Sequence, residues 1–461
     1  MKLSSLNKKK QHMKKILLIG LMLTMKLSGW AQYQLDTIHY AGDSKSFIDI
    51  VFLGDGFTAN ELTEFEFYAK SHSAQLFDKT PLKQYQSMFN VFYVKTASNE
   101  SGAGLTPDAP IDNFYGTCFG TAGVDRMPWP TKWNKVYEVL NKTKPEYDMV
   151  VIIVNKQKYG GGGGGGFICY GLDDSSIETL RHESGHALGG LSDEYWYQGR
   201  ESPNQTQNVT NVKWKNWMGD EGIGTYRYSN VASDEAYSWY RPHQDCLMRY
   251  LNREFCAVCR EALIEAIHES SKNILSYSPS NSSQQEIEDA PMTFALNLLK
   301  PDPNTLRIKW MMDGKVIASN VDETTIKPTD YEAGQHTLSV SVEDTTLFVR
   351  KDAHASLHGT IVEWNIKTSA SSGIKVVSDA TVSFKIEKLP FDTEIVISGF
   401  QQLKKPVKAL LTDMNGRKVA QGVFDEDNNC RINTAHLSSG VYLLQIKQKN
   451  RLLYSNKVVK R

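Results

Sequence analysis

The sequence has no excess of charge of either sign: its 461 residues include 52 Lys and Arg and 52 Asp and Glu, for a formal net charge of zero. Proteins that bind nucleic acid concentrate positive charge on one face, and no such basic stripe is evident here. Long apolar runs are also lacking. The run at residues 16–25 spans about ten residues, whereas a membrane-spanning helix needs about 20. The sequence therefore predicts no nucleic-acid partner and no transmembrane segment.

The short apolar run belongs to a predicted export signal. Lysines at positions 8–10, 14 and 15 precede it, and Gly29, Trp30 and Ala31 follow as a plausible cleavage site. A basic segment, a short apolar segment and a cleavage site with small residues, in this order, are typical of secretory signal peptides. We therefore predict a signal peptide over residues 1–31; the alternative is an ordinary buried helix.

Cysteine is also scarce. An exported chain can form disulfides, but an odd number of cysteines lies in one region, and the sixth, Cys430, lies far away. Cys256 and Cys259 have the Cys-x-x-Cys spacing of a metal site, yet such a site needs a partner pair, and the sequence shows none. Disulfides or free thiols are therefore predicted for the five cysteines that lie in one region of the chain: Cys118, Cys169, Cys246, Cys256 and Cys259.

The most informative stretch that is present is HESGHALGGLSDEY, residues 182–195. On a helix, residues i and i+4 share a face, so His182 and His186 can bind one metal ion. Glu183 is then adjacent to the metal without being needed as a ligand, and can act as the general base for a water held there. The pattern predicts a zinc hydrolase, with a peptidase as the favoured class and one catalytic zinc ion as the cofactor.

The flanking residues predict where this helix begins and ends. Ser175 and Glu178 have the spacing of a capping box, and Gly189 with Gly190 provides a C-terminal stop. An abrupt end after the second histidine lets the chain return a third ligand to the metal. Asp193 is the predicted ligand and Glu194 the alternative, each of which could instead be a surface carboxylate or a capping group.

A second segment, DCLMRYLNREFCAVC at residues 245–259, fits the same type of site. Met248 is a candidate for the Met-turn that lies beneath the metal in metzincin peptidases; the alternative is a core side chain. Tyr250 is predicted to stabilise the oxyanion of the tetrahedral intermediate, and is otherwise a packed aromatic residue.

A glycine run follows a predicted buried strand at residues 150–155. Glycine lets another backbone approach closely, so Tyr159, Gly160, Gly161 and Gly162 are predicted to bind substrate by strand addition at a sheet edge. A mobile loop is an equally good interpretation. A phosphate-binding loop is not predicted, because no Lys-Ser or Lys-Thr pair follows the glycines.

Five pieces in order resemble the IgA-peptidase family of zinc metallopeptidases, metallopeptidase family 64. They are IVFLGDGFTANEL, FNVFYVKTASNESGAG, YDMVVIIVNKQKYGGGG, HESGHALGGLSDEY and CLMRYLNREFCAVC, within about residues 45–275. The resemblance implies peptide-bond hydrolysis, one zinc held by His182, His186 and Asp193, and Glu183 as the base. Cleavage of immunoglobulin A does not transfer to this chain on these motifs.

Alternating apolar residues and an Asp-Gly turn predict an immunoglobulin-like β-sandwich over residues 286–367, after a polar linker at 278–285. A Ser-rich linker at 368–373 follows. Residues 374–461, with TDMNGRKVAQG and LSSGVYLLQIK, resemble the C-terminal sorting domain of type IX secretion. This resemblance implies contact with the outer-membrane secretion machinery, removal of the domain, and release or surface attachment. The alternative is a second sandwich without a signal role.

Together these patterns predict a multidomain protein: an α/β, metzincin-like zinc peptidase domain at residues 32–277, with a mixed twisted sheet and an active-site helix, and then two all-β immunoglobulin-like sandwich domains. The predicted function is a secreted zinc endopeptidase acting on extracellular proteins or glycoproteins, host proteins among them. The alternatives are a cell-surface adhesin or glycan-binding protein with a structural metal site and, less favoured, a zinc amidase acting on cell-wall peptides.

Overall fold

The computed structural model describes residues 33–288, 290–369, 384–387, 389–399, 406–449 and 451–461. The predicted signal peptide lies outside these residues. The chain divides into two compact units: one holds residues up to 285 together with 291–326 and 335–367, and the other holds 286–290, 327–334 and 368–461. Among the described residues, none of the helices is long and apolar enough to cross a membrane.

The first unit contains a mixed six-stranded sheet in the order β1-β3-β2-β4-β6-β5. The four inner strands are parallel, while β1 and β5 pair antiparallel at the two edges. Every residue of β2 and β4 is buried, which agrees with their continuous apolar sequences. The strands are β1 Leu35–His39, β2 Ile48–Asp55, β3 Phe89–Val94, β4 Met149–Val154, β5 Gly161–Gly164 and β6 Phe167–Gly171.

Helices cover both faces of this sheet. On one face, α2 packs through Val136 and Leu140 against residues of β2 and β4. On the other face, the alternate residues of the same strands pack with the remaining three helices, through side chains such as Phe65, Leu180 and Ile264. The helices are α1 Leu62–Leu76, α2 Trp133–Thr143, α3 Ser176–Ala187 and α4 Ala257–Ser270. The predicted α/β class with a mixed sheet is therefore confirmed.

A buried carboxylate at the end of β2 anchors the segment that forms one wall of the site. The backbone N–H groups of Gly56, Tyr115 and Thr117 donate to the carboxylate of Asp55 over 3.0, 2.9 and 2.8 Å. Burial raises the pKa of Asp55, although these hydrogen bonds oppose the shift. The anchored segment then runs on to Arg126.

The rest of the first unit is mostly β-structure, with two short strands and two sheets that meet through aromatic side chains. Phe294 and Trp310 both pack on Trp364, with ring centroids 5.3 and 5.8 Å apart. The predicted Asp313-Gly314 turn joins β12 to β13 with both φ angles positive. The strands along this part of the chain are β7 Tyr226–Arg227, β8 Tyr240–Arg241, β9 Ile274–Ser278, β10 Gln285–Ile287, β11 Met292–Leu298, β12 Leu306–Met312, β13 Lys315–Ser319, β14 Glu323–Ile326, β15 Gly334–Asp344 and β16 Thr360–Thr368, with a short helix α5 at His354–His358. Of these, residues 286 and 287 of β10, Gly334 of β15 and Thr368 of β16 belong to the second unit.

Strand β9 pairs with β11, so the first of these sheets begins before the predicted linker at 278–285. The predicted alternation in β12 and β15 is confirmed, because Ile308, Trp310, Val340 and Val342 are all buried and face one another in register.

Where residues 384–461 of the second unit are described, they form two β-sheets. One sheet has the order β17-β18-β21 and the other β20-β19-β22-β23. Buried residues of both sheets, among them Ile397, Leu411, Ile432 and Leu444, form one core. The strands are β17 Phe384–Ile386, β18 Glu394–Gly399, β19 Val407–Thr412, β20 Lys418–Val423, β21 Asn429–Asn433, β22 Gly440–Gln448 and β23 Arg451–Lys460.

Candidate active site

Helix α3 presents two histidine rings side by side, with ring centroids 5.0 Å apart. His182 Nδ1 donates to the carbonyl of Leu247 over 3.0 Å, and His186 Nδ1 donates to the carbonyl of Leu191 over 2.8 Å. With each Nδ1 held by a backbone carbonyl, each Nε2 is the ring nitrogen that can bind a metal ion once its proton is lost. This arrangement is the one by which supporting groups orient metal-binding histidines.

The two Nε2 atoms converge on one carboxylate oxygen. Asp193 Oδ1 lies 3.0 Å from His182 Nε2 and 3.2 Å from His186 Nε2. Three potential ligands therefore meet at one point, as expected for Asp193. The alternative, Glu194, points away from the histidines: its carboxylate lies beside Cys259, with Oε1 3.2 Å from that Sγ.

The turn after α3 brings Asp193 back to the helix. Gly190 has a φ of +60°, which glycine adopts without strain, so the predicted stop is confirmed. Asn204 then holds Ser192, accepting from its N–H over 2.7 Å and donating to its carbonyl over 2.8 Å. Tyr228 Oη donates to the carbonyl of Asp193 over 2.9 Å.

The predicted capping box at the start of α3 is wrong. The helix begins at Ser176 with Ser175 as N-cap, but the Ser175 side chain makes no capping bond. Glu178 instead pairs with Arg181 and accepts from the N–H of Asn252. Its ion pair with a residue one turn away uses the carboxylate that a capping box would need.

His182, His186 and Asp193 are called the triad below. Their charges stabilise one another in the metal-free protein. Burial lowers the pKa of His186, but the hydrogen bond and charge of Asp193 outweigh it and raise that pKa to about 9. Burial raises the pKa of Asp193, but the hydrogen bonds from His182 and His186 outweigh it and hold that pKa below its ordinary value. A cation at this point would find a carboxylate already ionised.

Glu183 lies beside the triad, with one carboxylate oxygen within 4.8 Å of a ring nitrogen of each histidine. Its side chain is 5 % exposed, and Oε2 lies 4.0 Å from His186 Nε2. Burial raises the pKa of Glu183, while the two histidines oppose the shift. A buried carboxylate with a raised pKa, next to a metal-binding group, is suited to accept and return a proton.

The glycine run forms the edge strand β5, which lies against Glu183. A Cβ on Gly163 would stand 2.8 Å from the carbonyl oxygen of Glu183 and 2.9 Å from its Oε2. A Cβ on Gly161 would stand 2.5 Å from Thr179 Cγ2. A side chain at either position would collide with α3, so only glycine lets the strand lie this close to the helix. Residues 161–164 form a strand and not a loop.

The other glycine-run residues take different places. Gly161 and Gly162 line the cavity over the triad, whereas Gly160 packs against the carbonyl of Arg126. Tyr159 is exposed and lines a smaller neighbouring cavity together with Tyr250.

We expect Gly163→Ala to lower turnover on the order of a hundredfold, because displacement of a reacting group by about 1 Å has that effect. Gly162→Ala is the matched control, since a Cβ there would meet only the flexible side chain of Met127 at 3.3 Å. The measurement is kcat of both variants at saturating peptide, because Gly162 lines the cavity and its substitution acts on KM rather than on the position of Glu183. Equal activities would mean that β5 does not hold Glu183 in position.

Met248 and Tyr250 both lie next to α3. Met248 is buried against Gly185, because a Cβ on Gly185 would stand 2.5 Å from Met248 Sδ. The carbonyl of Met248 accepts from the N–H of Glu194 over 2.7 Å. Tyr250 is 48 % exposed and lines the smaller cavity with His182 and Glu183. The sequence thus predicted two residues that both adjoin the catalytic helix.

Two neighbouring residues had not been assigned a role. Arg126 Nη2 donates to Tyr195 Oη over 3.0 Å, and the Tyr195 ring stacks on His182 with centroids 6.3 Å apart. Tyr195 closes the HESGHALGGLSDEY stretch, so its closeness in sequence to the two histidines was a usable signal. Arg126 carries no local signal, because its segment reaches the site through tertiary contacts.

Arg126, Glu183, His186, Asp193 and Tyr195 border one cavity of about 510 Å³, whereas His182 and Tyr250 line the smaller neighbouring cavity. Edge strand β5 forms one side and the turn after α3 the other. Its lining includes Arg126, Gly161, Gly162, Gly163, Glu183, His186, Asp193 and Tyr195. The donor set fits a metal ion: two oriented imidazoles and one ionised carboxylate converge, and the cavity leaves space for water and substrate.

Comparison with solved structures yields low overall similarity. The chain is similar to the Bacteroides ovatus mixed-linkage glucan utilization locus SGBP-B (17% identity, 41% of this chain and 46% of that chain, TM-score 0.16). It is also similar to Clostridium thermocellum CbhA fibronectin(III)-like modules (8% identity, 40% and 93%, TM-score 0.15) and to latent PorU from Porphyromonas gingivalis (11% identity, 41% and 20%, TM-score 0.14). The chain thus spans less than half of SGBP-B, and no curated protein matches it significantly.

Family models match two regions. The C-terminal match, at residues 390–461, is the Secretion system C-terminal sorting domain, which indicates a secreted or cell-surface-attached protein. The other match covers the sheet, α3 and the triad. Both resemblances predicted from the sequence are confirmed: residues 37–222 match the IgA Peptidase M64 family, and a sorting domain follows them in the same chain.

Proposed function

We propose that the chain is a secreted zinc-dependent endopeptidase that hydrolyses peptide bonds of extracellular proteins or glycoproteins. One observation carries the proposal: Asp193 Oδ1 meets the Nε2 atoms of both His182 and His186, while the buried carboxylate of Glu183 stays free beside them. A purely structural metal site has no use for such a free base. The match to a peptidase family supports the same class of reaction.

His182, His186 and Asp193 would hold the metal, with Leu247 and Leu191 carbonyls fixing the two rings. Two imidazoles and one carboxylate with an open position are the donor set of catalytic zinc. The ion would supply Lewis-acid activation of water and of the scissile carbonyl.

Glu183 does the proton transfer. Its carboxylate accepts a proton from the attacking water and returns it to the leaving amine. Burial, which raises the pKa of Glu183, favours the protonated form needed for the second step. Strand β5 keeps the carboxylate in position, because its backbone lies against Glu183 with no side chains between them.

The oxyanion would be stabilised by hydrogen-bond donors beside the triad. Tyr195 Oη, which Arg126 contacts over 3.0 Å, lines the main cavity and is the better-placed donor. Tyr250 is more exposed and lines only the smaller cavity, so we assign it to contact with substrate beyond the scissile bond.

Substrate would bind as an added strand. β5 is at the edge of the six-stranded order and borders the cavity, so an extended peptide can pair with its outer backbone groups. Pairing through the backbone suits an endopeptidase, because it does not require a chain terminus.

We also propose that the peptidase domain is of the metzincin-like type, with Met248 as its Met-turn. The immunoglobulin-like sandwich would act as a spacer or as a substrate-binding module.

Metal removal tests this function. We expect 1,10-phenanthroline to abolish cleavage of an unfolded protein substrate, and added Zn²⁺ to restore it, because the triad has no catalytic group to replace the ion. The measurement is the rate of peptide release before chelation, after it and after reconstitution. Undiminished cleavage by protein shown to be free of metal would contradict the zinc mechanism. A metal bound at the triad by four protein ligands, together with no cleavage, would favour the cell-surface adhesin.

A further inference from the structure

Three cysteines and one glutamate form a second buried group, which we call the cysteine cluster: Cys246, Cys256, Cys259 and Glu194. All four residues are buried, and one ligand atom from each lies within 4.8 Å of the others. Cys256 is the N-cap of α4 and Cys259 lies in its first turn. The sequence shows no partner pair for Cys256-x-x-Cys259, and tertiary contacts bring Cys246 and Glu194 to it; the predicted alternative of free thiols agrees with the structure.

The separations within the cysteine cluster match those of a tetrahedral metal site. Cys246 Sγ lies 3.7 Å from Cys259 Sγ, and Glu194 Oε1 lies 3.2 Å from Cys259 Sγ and 3.9 Å from Cys256 Sγ. Two sulfurs at a Zn–S distance of about 2.3 Å and a tetrahedral angle are roughly 3.8 Å apart. The cluster could thus close around an ion with little movement.

Glu194 supplies an independent indication of a cation. Its side chain is 0 % exposed, Oε1 accepts from Asn204 Nδ2 over 3.2 Å, and Oε2 has no hydrogen-bond partner among the described residues. A buried carboxylate without a full set of partners is costly unless a cation compensates it. Here the surrounding groups are thiols, which are weak donors.

A disulfide accounts for less of this arrangement. A bond between any two of the three cysteines leaves the third thiol and the Glu194 carboxylate without a new partner. A divalent ion contacts all four, and its binding releases the thiol protons. The backbone N–H of Cys256 already donates to Cys246 Sγ over 3.3 Å, and the N-terminus of α4 favours negative charge at Cys256 and Cys259.

We propose that Cys246, Cys256, Cys259 and Glu194 bind a second, structural zinc ion. Three thiolates and a carboxylate make a closed four-ligand set without an open position, which distinguishes it from the triad. The second ion would stabilise the two segments that position the triad. Glu194 follows Asp193 in the chain, and its N–H donates to the carbonyl of Met248. Cys246 precedes Leu247, whose carbonyl orients His182.

Metal counting on the full chain tests the second site. We expect two zinc ions per chain in the wild type and one in His182→Ala/His186→Ala, because that variant keeps the cysteine cluster. Cys256→Ser/Cys259→Ser should lose the other ion, whereas Cys118→Ser, a buried cysteine elsewhere, should retain both. One ion in the wild type and none in the histidine variant would overturn the second site and leave the peptidase proposal standing.

Since the cysteine variant can fail to fold, cobalt substitution provides a second measurement. His182→Ala/His186→Ala loaded with Co²⁺ should show intense thiolate-to-cobalt charge-transfer absorption, because only the cysteine cluster can then bind the metal. Absence of this absorption, or a native mass two hydrogens lower from a bond within the cluster, would overturn the proposal. Retention of the thiolate-held ion in a wild type without cleavage activity would instead refute only the peptidase.

Discussion

Glu183→Gln is expected to keep its metal and lose peptidase turnover on the order of 10³-fold, because a positioned general base and acid contributes at about this level. Glutamine preserves the shape of the side chain against β5, where Gly163 makes its closest approach to Glu183. The amide cannot accept the proton of the attacking water. The measurement is kcat on one peptide, with zinc content determined on the same preparation.

Glu178→Gln is the matched control, since Glu178 lies on the same helix but pairs with Arg181 away from the cavity. It should retain wild-type turnover. Full activity in Glu183→Gln would exclude Glu183 as the base. Loss of zinc together with activity would make Glu183 a ligand, a role that its 4.0 Å distance from His186 Nε2 does not favour.

Asp193→Ala is expected to weaken zinc binding at the triad by at least about a hundredfold, more than loss of a supporting group outside the ligand shell costs. Activity should fall in parallel at limiting zinc. Asp174→Ala, an exposed carboxylate before α3, is the control and should bind zinc normally. Unchanged zinc content at the triad in Asp193→Ala would require another third ligand.

The same variant has a readout in the metal-free protein. Asp193 raises the pKa of His186 to about 9 against the opposing effect of burial. Without Asp193 only burial and weaker charges remain, so the His186 pKa should fall. The stabilising effect of protonated His186 is fully present below its unfolded pKa of about 6.5 and is lost as pH rises through about 9. Asp193→Ala should therefore lower the free energy of unfolding of the metal-free protein at pH values below about 9, which thermal unfolding measures. NMR titration measures the fall of the His186 pKa itself.

The catalytic helix could be predicted from sequence because its signals are local. His182 and His186 share a face through the helical repeat alone, and Gly190 ends the helix through its own backbone conformation. Local signals could not separate Asp193 from Glu194 as the proposed third ligand, because the position of Asp193 depends on Asn204 holding Ser192. The buried strands β2 and β4 were equally accessible, since their uninterrupted apolar sequences match burial on both faces.

The remaining features depend on contacts between distant segments. The glycine run has no side-chain periodicity, so its sequence fits a strand and a loop equally well. Its strand lies against Glu183, which is distant in the chain order of elements and therefore gives no local signal. Arg126 reaches Tyr195 from a segment that Asp55 anchors further back, at Tyr115 and Thr117. The cysteine cluster joins Glu194 to residues far along the chain, so the Cys-x-x-Cys spacing alone identified half of it.

The most direct test of the central claim is a cleavage-site screen by N-terminal labelling and mass spectrometry. A mixture of unfolded extracellular proteins is treated with wild type or with Glu183→Gln at equal zinc content. We predict internal new N-termini that accumulate with the wild type and are absent with the variant. The same termini with both proteins, or none with a fully zinc-loaded wild type, would contradict a zinc endopeptidase that uses Glu183 as its base.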